Sequence, residues 1–186
     1  CSGVASGRAG TLGRAGAWLR TEVSVGWNRG GVAHVPIETL TEQIEAWREA
    51  GLTVGFTNGC FDILHKGHVS YLFEASKKGN KLIVGLNSDS SVKIQKKSPN
   101  RPLQDESSRS FVMASLYFVD AVILFEEETP FKLITRIKPN ILIKGADYKI
   151  EDIVGGKETI AWGGEVITIP LIEGYSTSAI ERKILE

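Results

Sequence analysis

The sequence predicts an α/β fold, a doubly wound parallel sheet of about five strands with helices on both faces. Three observations lead there. Apolar runs of about four to six residues recur from Pro36 onward, and runs without polar alternation are strands buried on both faces. The segments between them carry helix start and stop signals, and parallel strands need such crossovers. A chain of 186 residues with 42% hydrophobic content can bury one good-sized core.

Taken in order, Thr39 and Glu42 have the spacing of a capping box and open a helix to Ala50, closed by Gly51. Residues 52–56 are the first strand and run into a glycine turn at 58–62. A helix follows over about 67–78, with Gly79 at its end. Residues 81–86 read as a buried strand, and a short helix covers 88–95. A basic loop at 96–101 contains Pro99 and is followed by Pro102. Asp105 caps a helix to about Phe118. Asp120 precedes the strand AVILF. Thr129 is an N-cap with Pro130 behind it, opening a helix to Ile137. Residues 140–143 and 165–169 are the last strands, and a C-terminal helix starts at 176–178. Right-handed crossovers make this a Rossmann-like sheet, in which ligands bind beyond the carboxyl ends of the strands at the switch point. The segments 58–62, 144–148 and 173–178 can converge there.

Residues 1–35 are different. They hold eight glycines and four arginines against one acid, Glu22, and sustain no helical or strand period. They are expected to be a disordered or artificially appended tail, leaving 36–186 as the domain. Formal net charge is zero, so nothing in bulk electrostatics points to nucleic acid or a membrane. No apolar run reaches spanning length. Two cysteines, Cys1 and Cys60, make no disulfide framework, which points to a reducing, cytoplasmic setting. Cys60 reads as a small packing residue rather than a nucleophile.

Two of the three histidines, His65 and His68, open the helix after the first strand. At i,i+3 they share a face of its first turn. Strand, glycine turn and helix N-terminus together make an anion site, with free N–H groups and the positive end of the helix dipole aimed at one place. The histidines add two donors. Gly59 allows close backbone approach. The ligand expected here bears phosphate.

The run TNGCFDILHKGH resembles the nucleotidyltransferase superfamily marked by an HxGH signature. Further segments agree in order and spacing: NSDSSVK at 87–93, FEEETP at 125–130, LIKGADY at 142–148, GGEV at 163–166 and STSAI at 176–180. Over roughly 37–186 the set is most similar to the heptose 1-phosphate adenylyltransferase domains of ADP-heptose synthases. The resemblance implies transfer of AMP from ATP to a heptose 1-phosphate with release of pyrophosphate, and Mg²⁺ accompanying ATP. It implies catalytic roles for His65, His68 and Lys96. It assigns nucleotide binding to Thr57, Asn58, Gly59, Phe61, Asp62, Gly145, Asp147, Ser176, Thr177 and Ser178. Asp89, Lys93 and Arg109 are offered to substrate or phosphate. No metal ligand is firmly assigned, although Asp62 can reach Mg²⁺ through water or close an Asx turn.

Three departures from the pattern bear on this. Lys97 stands where relatives have Gly, which leaves the phosphate lysine open among Lys93, Lys96 and Lys97. Ala146 replaces a Gly and fits if its φ is not positive. Leu171 stands where glycerol-phosphate and choline-phosphate cytidylyltransferases carry Arg. The larger family member often includes a sugar kinase, so a separate heptose kinase or an excised domain is expected here. Homo-oligomer formation is compatible with the pattern. The alternatives are another sugar- or alcohol-phosphate nucleotidyltransferase using GTP or CTP, and a nucleotide-binding module without turnover.

Overall fold

The structure, a computed structural model, describes residues 35–95 and 100–186. Its five strands are β1 (Val54–Gly59), β2 (Lys81–Asn87), β3 (Ala121–Phe125), β4 (Ile141–Gly145) and β5 (Glu165–Ile169). They form one sheet in the order β3-β2-β1-β4-β5 with every pairing parallel. The helices are α1 (Ile37–Glu49), α2 (Lys66–Ser76), α3 (Asp89–Ile94), α4 (Glu106–Ala114), α5 (Phe131–Ile137), α6 (Gly156–Ala161) and α7 (Thr177–Leu185). The doubly wound, Rossmann-like sheet expected from the apolar runs is therefore present.

Strand periodicity explains the two cores. Side chains alternate along a strand. Val54, Phe56, Ile83, Ile123 and Leu142 point to one face, where Leu40, Ile44 and Trp47 of α1 and Leu133, Ile134 and Ile137 of α5 cover them. Leu82, Val84, Leu86, Val122 and Ile143 point to the other, under Tyr71, Leu72 and Ala75 of α2 and Met113 of α4. Both faces are buried, so the strands read as continuous apolar runs. Strand order reverses between β1 and β4, and the crevice beyond their carboxyl ends is the switch point.

Several boundaries differ from expectation. β1 extends through Thr57, Asn58 and Gly59 because pairing with Val84, Gly85 and Leu86 of β2 continues past the apolar run. α1 begins at Ile37 without a side-chain cap. Pro36 precedes it with φ −59°, and its carbonyl accepts from Leu40 N–H at 3.0 Å. Thr39 thus lies inside the first turn, and no capping box forms. Pro130, rather than Thr129, is the cap residue of α5, again with no side-chain bond. α4 stops at Ala114, where Ser115 N–H turns onto the Phe111 and Val112 carbonyls. A 3-10 turn at Ile150–Asp152 and the short α6 have no counterpart in the sequence pattern. Ser88, Asp105 and Ser176 cap their helices as their residue types suggest.

Residues 1–34 lie outside the described residues. Val35 packs against the α1–α5 core, and its N–H donates to the Val122 carbonyl on the outer edge of β3 at 3.2 Å.

Candidate active site

A cavity of about 530 Å³ opens at the switch point. The three segments expected to converge do so. The turn after β1 supplies Asn58, Gly59, Phe61 and Asp62, the end of β4 supplies Gly145 and Asp147, and the start of α7 supplies Ser176, Thr177 and Ser178. His65 and His68, at the start of α2, line it too.

The turn that delivers the histidines is strained. Phe61 and Ile63 hold left-handed φ values of 45° and 49°, a conformation poorly suited to an aromatic and a β-branched residue. Each such residue costs on the order of 1–3 kcal/mol and persists where its surroundings over-determine it. Those surroundings are visible. The buried Asp62 carboxylate accepts from Leu103 N–H at 2.8 Å and Gln104 N–H at 3.0 Å. The Gln104 side-chain carbonyl accepts from Ile63 N–H at 3.1 Å. Thr177 Oγ1 donates to the Asp62 carbonyl at 2.7 Å, joining this turn to α7. Asp62 closes no Asx turn. Both its oxygens are engaged by a distant loop, so it acts as a strut of the site.

Arg109 is a second strut. It is 2% exposed. Nε donates to the Gln104 carbonyl, Nη1 to the Cys60 and Asn87 carbonyls, and Nη2 to Asp89 at 2.7 Å. Those groups tie the ends of β1 and β2 to the start of α4. Neither Arg109 nor Asp89 lines the cavity, so the phosphate contact suggested for them has no geometric support. Lys93 is exposed on α3 and likewise does not line it. Thr57 sits behind the wall, fully buried, with Oγ1 2.8 Å from the Tyr71 hydroxyl. Lys96 and Lys97 lie outside the described residues.

The histidines form a stacked pair, with ring centroids 3.8 Å apart and planes at 21°. His65 caps α2, its Nδ1 accepting from His68 N–H at 3.4 Å. Burial lowers the pKa of His65. Burial, followed by the neighbouring His65, pushes His68 down to about 4, with Asp62 opposing and Arg101 reinforcing the shift. Both rings are therefore neutral at neutral pH. In neutral His65 the accepting Nδ1 leaves the proton on Nε2. That Nε2 is buried and makes no hydrogen bond among the described residues, and the same holds for His68 Nδ1 and Asn58 Oδ1. Buried polar atoms are nearly always paired. Three orphans lining one cavity mark a place where a ligand supplies the partners.

The glycines shape the same space. A Cβ on Gly67 would meet the His65 ring and Tyr175 Cβ, both at 3.0 Å. One on Gly145 would collide with Asp147 Oδ1. Ala146 does not have positive φ, so its methyl is accommodated.

The cavity also takes in residues to which the sequence reading gives no site role: Tyr71, Arg101, Lys144, Tyr148, Leu171 and Tyr175. Lys144 ends β4, with Nζ 3.5 Å from the Asn58 carbonyl and 5.3 Å from the Tyr148 ring centre. The switch-point rule places it here, within the KGADY segment, without giving it a role. Among the described residues no group of three or more His, Cys, Asp or Glu could hold a metal ion. No helix among them is long and apolar enough to cross a membrane.

Residues 56–183 match the family model described as cytidylyltransferase-like. The chain belongs to the cytidylyltransferase-like family. Curated relatives of this family member include the bifunctional protein HldE of Hyphomonas neptunium, 44% identical over 179 residues, covering 96% of this chain and 37% of that protein. HldE of Nitrobacter winogradskyi is 52% identical over 144 residues, covering 77% of this chain and 29% of that one. The chain thus spans about a third of the length of the curated relatives it matches. Among solved structures, a lipopolysaccharide core biosynthesis protein from Thermoplasma volcanium superposes with a TM-score of 0.56 at 32% identity, covering 68% of this chain and all of that one. Pantoate-β-alanine ligase of Francisella tularensis, at 16% identity, 76% and 73% coverage and a TM-score of 0.50, shares the fold.

Proposed function

We propose that this domain transfers AMP from ATP to a heptose 1-phosphate, giving ADP-heptose and pyrophosphate. The observation that carries the reading is the set of three buried, unpartnered polar atoms, on Asn58, His65 and His68, around one cavity at the switch point. The order of motifs and the similarity to HldE proteins over most of the chain support this choice of nucleotide and acceptor.

The chemistry follows from the residues. An oxygen of the sugar 1-phosphate attacks the α-phosphorus of ATP. The bond from that phosphorus to the bridging β-phosphate oxygen breaks, and pyrophosphate departs with the electron pair. No covalent link to the protein is needed, so positioning and charge stabilisation carry the rate. His65 Nε2–H donates to a phosphate oxygen, and the neutral His68 ring beside it offers a second contact. The N-termini of α2 and α7 both face the cavity, adding backbone N–H donors and favourable helix-end charge. Asp147 and Tyr148 lie beside Gly145 and serve the ribose or the sugar. Lys96 is the lysine assigned to phosphate by the motif resemblance.

Mg²⁺ prefers phosphate and water oxygens, so the ion would arrive with ATP and be held chiefly by the triphosphate and water. It would neutralise phosphate charge. The transferase domain is read as residues 36–186, with Val35 packed onto it. The acceptor phosphate comes from a separate kinase activity, and the setting is the cytoplasm.

The test is to incubate the protein with each nucleoside triphosphate and each heptose 1-phosphate anomer and to measure pyrophosphate. Release with ATP and one anomer is expected. Release only with CTP or GTP moves the reading to another sugar- or alcohol-phosphate nucleotidyltransferase, and binding without release reduces it to a nucleotide-binding module.

A further inference from the structure

Stacked and neutral, the two histidines can donate hydrogen bonds but bring no formal charge to the phosphates. A leaving pyrophosphate gathers negative charge, and a cation close to it is the usual means of stabilising that charge. Among the described lining residues the cations are Lys144 and Arg101. Lys144 stands at the end of β4 beside Asn58 and Tyr148. Arg101 stands at the opposite element, the start of α7. Its Nη2 donates to Ser178 Oγ at 3.2 Å and to Glu181 Oε2 at 3.1 Å. The side chain is 17% exposed. Nε and Nη1 make no hydrogen bond to any described residue. Its charge reaches His68 as well.

We propose that Arg101 binds the pyrophosphate portion of the nucleotide, between Ser178 and His68, and that Glu181 holds the guanidinium in place until phosphate takes it over. The inference rests on a nucleoside triphosphate being the donor, but not on the identity of the acceptor. Three features support it. A guanidinium matches phosphate in a bidentate fork. Phosphate would replace one anionic partner of the Arg101 guanidinium with another, so the cation is never left unpaired, and the Glu181 side chain, 25% exposed, can be hydrated when released. Ser178 is already bonded to Arg101 at a helix N-terminus, so an anion bound at the first turn of α7 lies within the guanidinium's reach.

The experiment is calorimetric titration of the full chain with inorganic pyrophosphate in Mg²⁺, and separately with AMP. The proteins are wild type, R101A, R101K and E181Q. R101A is expected to weaken pyrophosphate binding by about 10- to 100-fold, the range for a lost charge-assisted hydrogen bond, while AMP affinity changes by less than about two-fold. R101K should fall between. E181Q, which breaks the same ion pair but keeps the arginine, should bind pyrophosphate at least as tightly as wild type. The proposal is overturned by wild-type pyrophosphate affinity in R101A, by parallel loss of AMP and pyrophosphate, or by a loss in E181Q equal to that in R101A. The last outcome would show that only the tie to α7 matters. If R101A does not fold, R101K and E181Q still decide. Normal pyrophosphate behaviour in a protein that transfers nothing to heptose 1-phosphate would sink the acceptor assignment and leave this inference standing.

Discussion

His68 offers a measurable consequence of the stacked, buried pair. In the folded protein its pKa is held at about 4, by burial first and by His65 second, with Arg101 adding to the shift and Asp62 opposing it. An unfolded histidine titrates near 6.5. The unfolded chain therefore binds more protons than the folded one between these values, and stability rises with pH across that window. It is complete above about 6.5 and is lost progressively as pH falls toward 4. At pH 5 the unfolded side chain is nearly all charged and the folded one nearly all neutral. The contribution lost between pH 7 and pH 5 is about 2 kcal/mol. His68→Asn removes this titration and leaves the carboxylates common to both proteins. Urea denaturation of wild type and variant at the two pH values reads the difference directly. Wild type should lose about 2 kcal/mol more than the variant on going to pH 5. Equal losses, or an NMR titration of His68 centred near 6.5, would refute the desolvated, neutral pair.

Three further outcomes follow from the same geometry. His68→Ala should lower kcat by roughly 10²–10³ with a smaller effect on ATP binding, as loss of one preorganised donor does, and steady-state kinetics with separate calorimetry check this. Arg109→Met should destabilise by about 3–5 kcal/mol in urea denaturation, because it strands one buried and two part-buried carbonyls and the Asp89 carboxylate, while a melting curve equal to wild type would remove its role as a strut. Gly145→Ala should push Asp147 aside and raise the KM for ATP by roughly ten-fold with little change in Tm, since the atom displaced is the end of a side chain.

How much of this could be read from residues alone depends on what each residue meets. The apolar runs located every strand, because both faces of a parallel sheet are buried and need no polar alternation. The run ends misplaced β1, since Thr57 looks like a turn residue until Tyr71 pairs with its hydroxyl in the core. A capping box at Thr39 was outcompeted by Pro36, whose fixed φ suits the residue before a helix. The short α6 and the 3-10 turn have little periodicity of their own and are held by tertiary contact. At the site, motif spacing found the histidines, the end of β4 and the start of α7. It could not separate ligand contacts from struts. Asp62 and Arg109 carry charges that suit phosphate chemistry, yet both are engaged by backbone groups from loops more than forty residues away or from strand ends. Arg101 escaped because its place depends on how the loop before α4 folds back onto α7, which no local pattern encodes.

The central claim is adenylyl transfer to a sugar phosphate at the switch-point cavity, and following the phosphorus atoms tests it most directly. With heptose 1-phosphate and Mg²⁺, label from [α-³²P]ATP should appear in a nucleotide sugar, and label from [γ-³²P]ATP should appear in pyrophosphate. Neither transfer should occur at a comparable rate when His65 and His68 are both alanine. Label from the γ-position in orthophosphate or in the sugar, or α-label that stays with free nucleotide while the protein is saturated with both substrates, would contradict it.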